Sequence, residues 1–533
     1  MLRLRLAPLA ALALFFASSE AIAGGHPSGA ALVRLLGPHA GIALSSTGRD
    51  DTLDALVPLP DGAAASTLGL EPVVPGFGRL RGGAPAFLAF ERAHPDLPID
   101  VAPPLHMLLD RAGLFTHATV AHSASENGSG VLVGVADTGL DVTHADFLDA
   151  SGRTRVAWLL DLSAPPYGKY PDLEQKYGVV DANGVLVQGA VYAAADLDQL
   201  AGTGVPPPSD SIGHGTHVTS IAAGNGGPVT AGPHYVGFAP QATILFARVT
   251  RDSTGSIDNG DLVRSVQFLF DRADAMALPV AVNLSLGTDF GPHDGTMDWE
   301  QVLASYVGPA HPGHALVAAA GNSGSIYDTP VHQSVRVSPG ARMTVPIQTH
   351  GATSGSLEVW VAIRSGASLS VGFAGPDGEW IAPVSDGNEA GKNTSQYNAG
   401  VINGSSASKS PVPAASHGAV AVVSGRWPSG TYAIELDGVG TADLYLEGTG
   451  DVSVGESAGF ATAVREGTIN LPATHPSILG VGCTVNKPTW TTLTGALESQ
   501  SAPVLDGAGG EVLLDASGEV ESRPLADGEA CWF

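Results

Sequence analysis

Apolar positions divide the chain into two textures. Between about residues 106 and 330 they come in short unbroken runs: Val131-Leu132-Val133-Gly134-Val135-Ala136, Val156-Ala157-Trp158-Leu159-Leu160, Thr243-Ile244-Leu245-Phe246-Ala247, Val280-Ala281-Val282 and Ala315-Leu316-Val317-Ala318. Runs of this length without polar alternation suit strands buried on both faces, as in parallel sheets. Helical periods lie between them. Residues 261–275 place Leu262, Val266, Leu269 and Phe270 on one face, with Asp261 in the first turn. Val218, Ile221 and Ala222 mark the apolar face of a helix that starts near His214 and stops at Gly224. A short helix is also predicted over residues 104–110. Strands alternating with helices predict an α/β fold with a parallel sheet flanked by helices.

After residue 330 the period becomes two. Ser356-Leu357-Glu358-Val359-Trp360-Val361 alternates, as do Thr431-Tyr432-Ala433-Ile434 and Asp443-Leu444-Tyr445-Leu446, and Pro376-Asp377-Gly378 is a turn signal. Short alternating strands predict an all-β sandwich, placed at 331–465 as an insertion. Within it the aromatic side chains that stand out are Trp360 and Trp380, and nothing names a ligand. The α/β texture resumes over 466–533, so the α/β unit reads as 106–330 plus 466–533.

The first 23 residues have another texture. Arg3 and Arg5 precede an apolar run over 9–16, and Ala21-Ile22-Ala23 is a small-residue cleavage site. This predicts a signal peptide and a secreted or periplasmic product. The run is too short to span a bilayer, and no cysteine follows the cleavage site to carry a lipid, so no membrane anchor is expected. Residues 24–105 are rich in Gly, Pro and Ala and read either as a pro-region or as an N-terminal extension. Lys+Arg 25 against Asp+Glu 52 gives a net charge of −27, which argues against nucleic acid and anionic membrane as partners. The two cysteines, Cys483 and Cys531, either pair in an oxidising compartment or stay as buried thiols.

Three polar residues interrupt the apolar runs at chemically useful places. Asp137 ends the first buried strand in Val-Ala-Asp-Thr-Gly, as a site carboxylate or as a turn-closing one. His214 sits between Gly213 and Gly215 in Gly-His-Gly-Thr-His-Val, where a substrate backbone can come close to the ring. Asn322 follows Ala319-Ala320-Gly321. His214 and His217 stand at i and i+3, but no HExxH arrangement accompanies them and zinc is not expected. Together and in this order, these motifs resemble the subtilisin-like serine proteases, the subtilase family. That resemblance implies a subtilisin-like sheet and peptide-bond hydrolysis. His214 would be the general base, Asp137 its orienting carboxylate and Asn322 an oxyanion-hole donor. Ser285, Leu286 and Gly287 resemble the strand that pairs with substrate, and Ala319 and Gly321 a wall of the pocket for the residue before the scissile bond. Protein or peptide substrates and a monomeric state are expected. No cofactor is required; structural calcium is common in the family and acidic loops are plentiful here, yet no EF-hand-like loop names ligands.

The family's nucleophile lies in a Gly-Thr-Ser-x-x-x-Pro segment that opens a helix, and no such segment occurs in the 533 residues. Ser406, in Gly404-Ser405-Ser406-Ala407-Ser408-Lys409-Ser410-Pro411, is the nearest candidate. Its proline comes one residue late and no apolar helix follows. Glu529-Ala530-Cys531-Trp532-Phe533 resembles the start of the strand that precedes the serine helix. The expectation is a chain truncated before its nucleophile, with an inactive peptide-binding protein as the alternative.

Overall fold

The computed structural model describes residues 53–531 apart from internal breaks, the longest being 98–105, 108–125, 228–235 and 506–511. The signal-peptide segment and most of 104–110 lie outside the described residues. An N-terminal unit opens the fold. Strands β1 (Leu53–Pro58), β2 (Glu71–Val74) and β3 (Phe77–Gly82) form an antiparallel sheet in the order β1-β3-β2, followed by helix α1 (Ala84–Ala93).

The apolar runs form the central sheet. β4 (Leu132–Asp137), β5 (Val156–Asp161), β6 (Ala190–Ala193), β7 (Thr243–Arg248), β8 (Val280–Leu284), β9 (His314–Ala319) and β10 (Leu479–Val481) pair in the order β10-β9-β8-β4-β7-β5-β6. All neighbours are parallel except β6, which runs antiparallel to β5 at one edge. Every residue of β4 is buried, as a run without polar alternation requires. Helices α2 (His214–Ala223) and α3 (Asn259–Met276) pack against this sheet.

Two helices depart from the expected pattern. In α2 the fully buried positions are His214, Gly215, Thr219 and Ala223, while Val218, Ile221 and Ala222 are half-buried. The helix turns its polar seam inward because Thr219 satisfies its own hydroxyl on Gly215 O at 2.7 Å. In α3 the predicted apolar face is buried, but Val263, Arg264, Ser265, Gln267 and Phe268 are buried as well. Its second face is covered by the N-terminal sheet. β1 lies along it, and buried Arg79 of β3 donates from Nη2 to Gln267 Oε1 at 3.2 Å.

Antiparallel strands from His332–Val337 to Ala458–Phe460 form the β region. The two alternating runs around 431–446 are one strand, Thr431–Gly450. Gly438 and Gly440 take φ values of +135° and +124°, and the strand bends there. Its first half pairs with Arg342–Thr349 and Ser368–Gly375, its second with His332–Val337 and Ser354–Ile363. A core aromatic cluster joins Trp380 to Phe373, Tyr397, Tyr432 and Trp427, wider than the two tryptophans expected. The outer face is not solvated either. Trp360, Val420 and Tyr445 join the apolar core of the α/β unit, with Trp360 edge-on to Phe290 at 5.4 Å. Beyond β10, Cys483 and Cys531 are joined by a disulfide, with their Cα atoms 5.5 Å apart.

Candidate active site

Asp137 is the last residue of β4 and His214 the first of α2, so both stand where strand ends meet a helix N-terminus. His214 Nδ1 lies 2.7 Å from Asp137 Oδ1, and both side chains are buried. The same Oδ1 accepts the Thr138 amide at 2.7 Å. Gly213 enters the helix at φ +90°, a conformation that favours glycine. A Cβ on Gly215 would overlap Gly139 O and crowd Asp137, so the Gly-His-Gly spacing lets helix and strand touch.

Asp210, which the motif reading did not single out, secures this junction. Its Oδ2 accepts the amide and hydroxyl of Thr216, each at 2.9 Å, and its Oδ1 accepts the Ile212 amide and the Thr138 hydroxyl, each at 3.1 Å. Thr138 Oγ1 in turn accepts the Gly215 amide at 3.1 Å. Burial alone would raise the Asp210 pKa, but the amides of Thr216, Gly213 and Ile212 and the Thr216 hydroxyl outweigh it and hold it below the usual carboxylate range. Asp210 lies three residues ahead of Gly213, the N-cap residue, so no local capping pattern in the sequence points to it.

The other candidates gather on two neighbouring strand ends. Leu286 and Gly287 form a short strand after β8, with Ser285 at the break between them. Its edge is paired antiparallel with His106–Met107, Leu286 opposite Met107 and Gly287 opposite His106. The helix expected over 104–110 is thus a strand at its two described residues, because an open edge offers those residues backbone partners. Ala319 ends β9, and Gly321, at φ +108°, turns the chain into half-buried Asn322. Two connections join these walls. Ser323 Oγ donates to Asp289 Oδ2 at 2.6 Å. Leu471 exchanges both backbone bonds with Thr288, at 3.0 and 3.1 Å, while the Asn470 amide donates to Ala320 O at 2.8 Å.

The family model described as "Subtilase family" matches residues 128–474, a span that holds Asp137, His214, Asn322 and both walls. This chain belongs to the subtilase family. It is 30% identical over 211 residues to the subtilisin-like protease SBT2.1 of Arabidopsis thaliana, a match covering 37% of this chain and 23% of that one. It is 34% identical over 116 residues to a subtilisin of Bacillus sp. (strain TA39), covering 22% and 25%. The chain spans about a quarter of the length of the curated relatives it matches. The Clostridium perfringens CspB protease shares the fold, with a TM-score of 0.55 and 20% identity over 76% of this chain and 77% of that one.

In this subtilase Ser406 lies exposed in the turn after Tyr397–Asn403, its hydroxyl beside Gly387 of the β region. Among the described residues no group of three or more His, Cys, Asp or Glu side chains is arranged to hold a metal ion, so no calcium position is assigned. Among the same residues no helix is long and apolar enough to cross a membrane.

Proposed function

We propose that the protein is an exported serine endopeptidase that hydrolyses peptide bonds by acyl transfer. The observation that carries this reading is the buried contact between His214 Nδ1 and Asp137 in a chain of the subtilase family. A carboxylate at Nδ1 keeps the proton on that nitrogen and leaves Nε2 as the base. Nε2 takes the proton of a serine hydroxyl as the oxygen bonds to the peptide carbonyl carbon. It returns that proton to the amine as the C–N bond breaks, and water then releases the acyl group by the same route. Asp137 stabilises the imidazolium formed in between. The Asn322 side-chain amide donates to the oxyanion, and losing such a donor costs about 10²–10³ in kcat. Leu286 and Gly287 take the substrate backbone as an added strand, and Ala319 and Gly321 wall the pocket for the residue before the scissile bond.

Residues 24–105 are proposed as a pro-region. The placement of β1–β3 on α3 supports this, as does His106–Met107 occupying the edge that substrate would use. The N-terminal signal supports export. The reading also needs a serine, and residues 1–533 offer no Gly-Thr-Ser-x-x-x-Pro segment. The test is a fluorophosphonate probe applied to the natural protein isolated from its source. Covalent labelling that disappears in His214→Ala is the expected result. No labelling would overturn the hydrolase and favour the second reading, a subtilase-like protein that binds peptides without cutting them. The observation behind that alternative is that the Leu286–Gly287 edge already accepts a strand with no chemistry involved.

A further inference from the structure

His293 follows the Leu286–Gly287 strand in a left-handed conformation, φ +52°, which non-glycine residues keep only where their surroundings over-determine it. Its ring lies between two main-chain oxygens. Nδ1 is 2.7 Å from Ile469 O and Nε2 is 2.7 Å from Asp289 O, and the ring stacks on Tyr445 of the β region with centroids 3.5 Å apart. The two oxygens belong to the segments that carry the walls of the site. Asp289 follows Thr288, and its carboxylate accepts the hydroxyl of Ser323, the residue after Asn322. Ile469 precedes Asn470, which is bound to Ala320 O, and Leu471, which is paired with Thr288. Building on the peptide-handling site proposed above, we infer that His293 is a positioning residue whose uncharged ring clamps these two segments together, and that acid undoes the clamp by charging the ring.

The groups around the ring oppose a charge on it. Arg364 and, once protonated, His332 act on it from the β region, and Arg364 Nη1 donates to the O of Pro292, the preceding residue, at 3.2 Å. The nearby carboxylates are engaged elsewhere: Asp443 with Arg364 and His332, Asp289 with Ser323, and Asp294 with the Ser416 hydroxyl. Tyr445 stays a neutral phenol, since burial raises its pKa. A charged ring would donate to both carbonyls, where an uncharged one donates to a single carbonyl at a time. That gain is the smaller effect. Burial pushes the His293 pKa down to about 4, His332 and Arg364 act in the same direction, and the two carbonyls recover only part of the shift. Once the loop opens, the ring meets water and its pKa returns to the ordinary value of about 6.5. The open form therefore takes up a proton first as pH falls. The clamp is at full strength above about pH 6.5 and weakens as pH falls toward about 4, below which both forms are charged.

The test is amide hydrogen exchange of the purified full chain between pH 7 and pH 5, corrected for the intrinsic dependence of exchange on pH. The amides of Thr288, Asn470 and Leu471 donate the bonds that cross the joint. Their protection, taken relative to the amides of β4, is expected to fall about tenfold over this range. In His293→Asn, which tolerates the left-handed backbone and does not titrate, the same ratio is expected to stay constant. His293→Gln takes its place should the asparagine variant lose the fold as a whole. A ratio independent of pH in the unmodified chain, or an equal fall in the variant, would overturn the inference and leave the peptide-handling role standing. That role has its own arm. Acetyl-Ala-Leu-Ala-Leu-amide can pair as a strand and carries no titrating group, and at pH 7 it is expected to raise the protection of the same amides. Protection that the peptide leaves unmoved, with the pH response intact, would overturn the peptide-handling role while the clamp stands.

Discussion

At the scale of single residues, the site depends on hydrogen bonds that join short segments far apart in sequence. Asp210 shows how. Through Thr138, Thr216 and Ile212 it ties the end of β4 to the start of α2, and so fixes the distance between Asp137 and His214. Asp210→Ala is expected to cost about 1–3 kcal/mol, the range for leaving part-buried donors without their acceptor. Because its carboxyl is held below the usual range, the unfolded chain takes up a proton first as pH falls. The contribution is therefore full above about pH 4 and fades below it. Thermal melts of Asp210→Ala and the unmodified chain should differ at pH 7 and converge at low pH; curves separated equally at every pH would contradict the assignment. Asp137, His214 and Asn322 were legible in the sequence because each lies in a local motif. The bridging position of Asn470 was not, since it depends on Ala320 and Gly321, which reach it only through the fold.

At the scale of elements, the β region is fixed to the α/β unit by polar contacts that no periodicity discloses. Glu358 and Glu447 face each other in register on neighbouring strands, and Glu447 Oε2 accepts the Thr288 hydroxyl at 3.2 Å. Alternation of this kind suits a strand with one solvated face, yet Ser356, Glu358 and Trp360 are as buried as Leu357 and Val359. The sequence showed where the strand lies but not that both of its faces are covered. Burial, followed by the nearby Glu447, pushes the Glu358 carboxyl well above its ordinary value. An acid with a raised pKa keeps its proton in the fold after the unfolded chain has released it, so this residue costs stability increasingly as pH rises above the ordinary glutamate range. Glu358→Gln keeps the shape and cannot ionise. Its melting temperature relative to the unmodified chain should therefore climb from pH 5 to pH 8, and parallel curves would sink the argument.

At the scale of the whole molecule, two further units pack on the α/β unit that carries the site. The N-terminal sheet covers α3, and the β region holds the loop that follows Leu286–Gly287. Arg364 Nη1 donates to Pro292 O at 3.2 Å, Ser416 Oγ donates to Asp294 Oδ2 at 2.8 Å, and His293 stacks on Tyr445 at 3.5 Å. The interruption of the α/β texture was legible; the grip on this loop was not, because it depends on single side chains from distant strands. Arg79 is the polar anchor of the N-terminal sheet, buried between Gln267 of α3 and Glu71 at 3.4 Å. Arg79→Ala should raise hydrogen exchange in α3 and leave the β region unchanged, whereas protection lost uniformly would mean that the sheet is not a separate cover. The bent strand Thr431–Gly450 has a consequence of its own for the β region. Its two halves pair with different strands, so neither set of partners can shed it without exposing backbone groups of the other. Cooperativity is thereby built into the covalent path: opening of the β region is expected to proceed as one unit and to release the loop it holds in the same event.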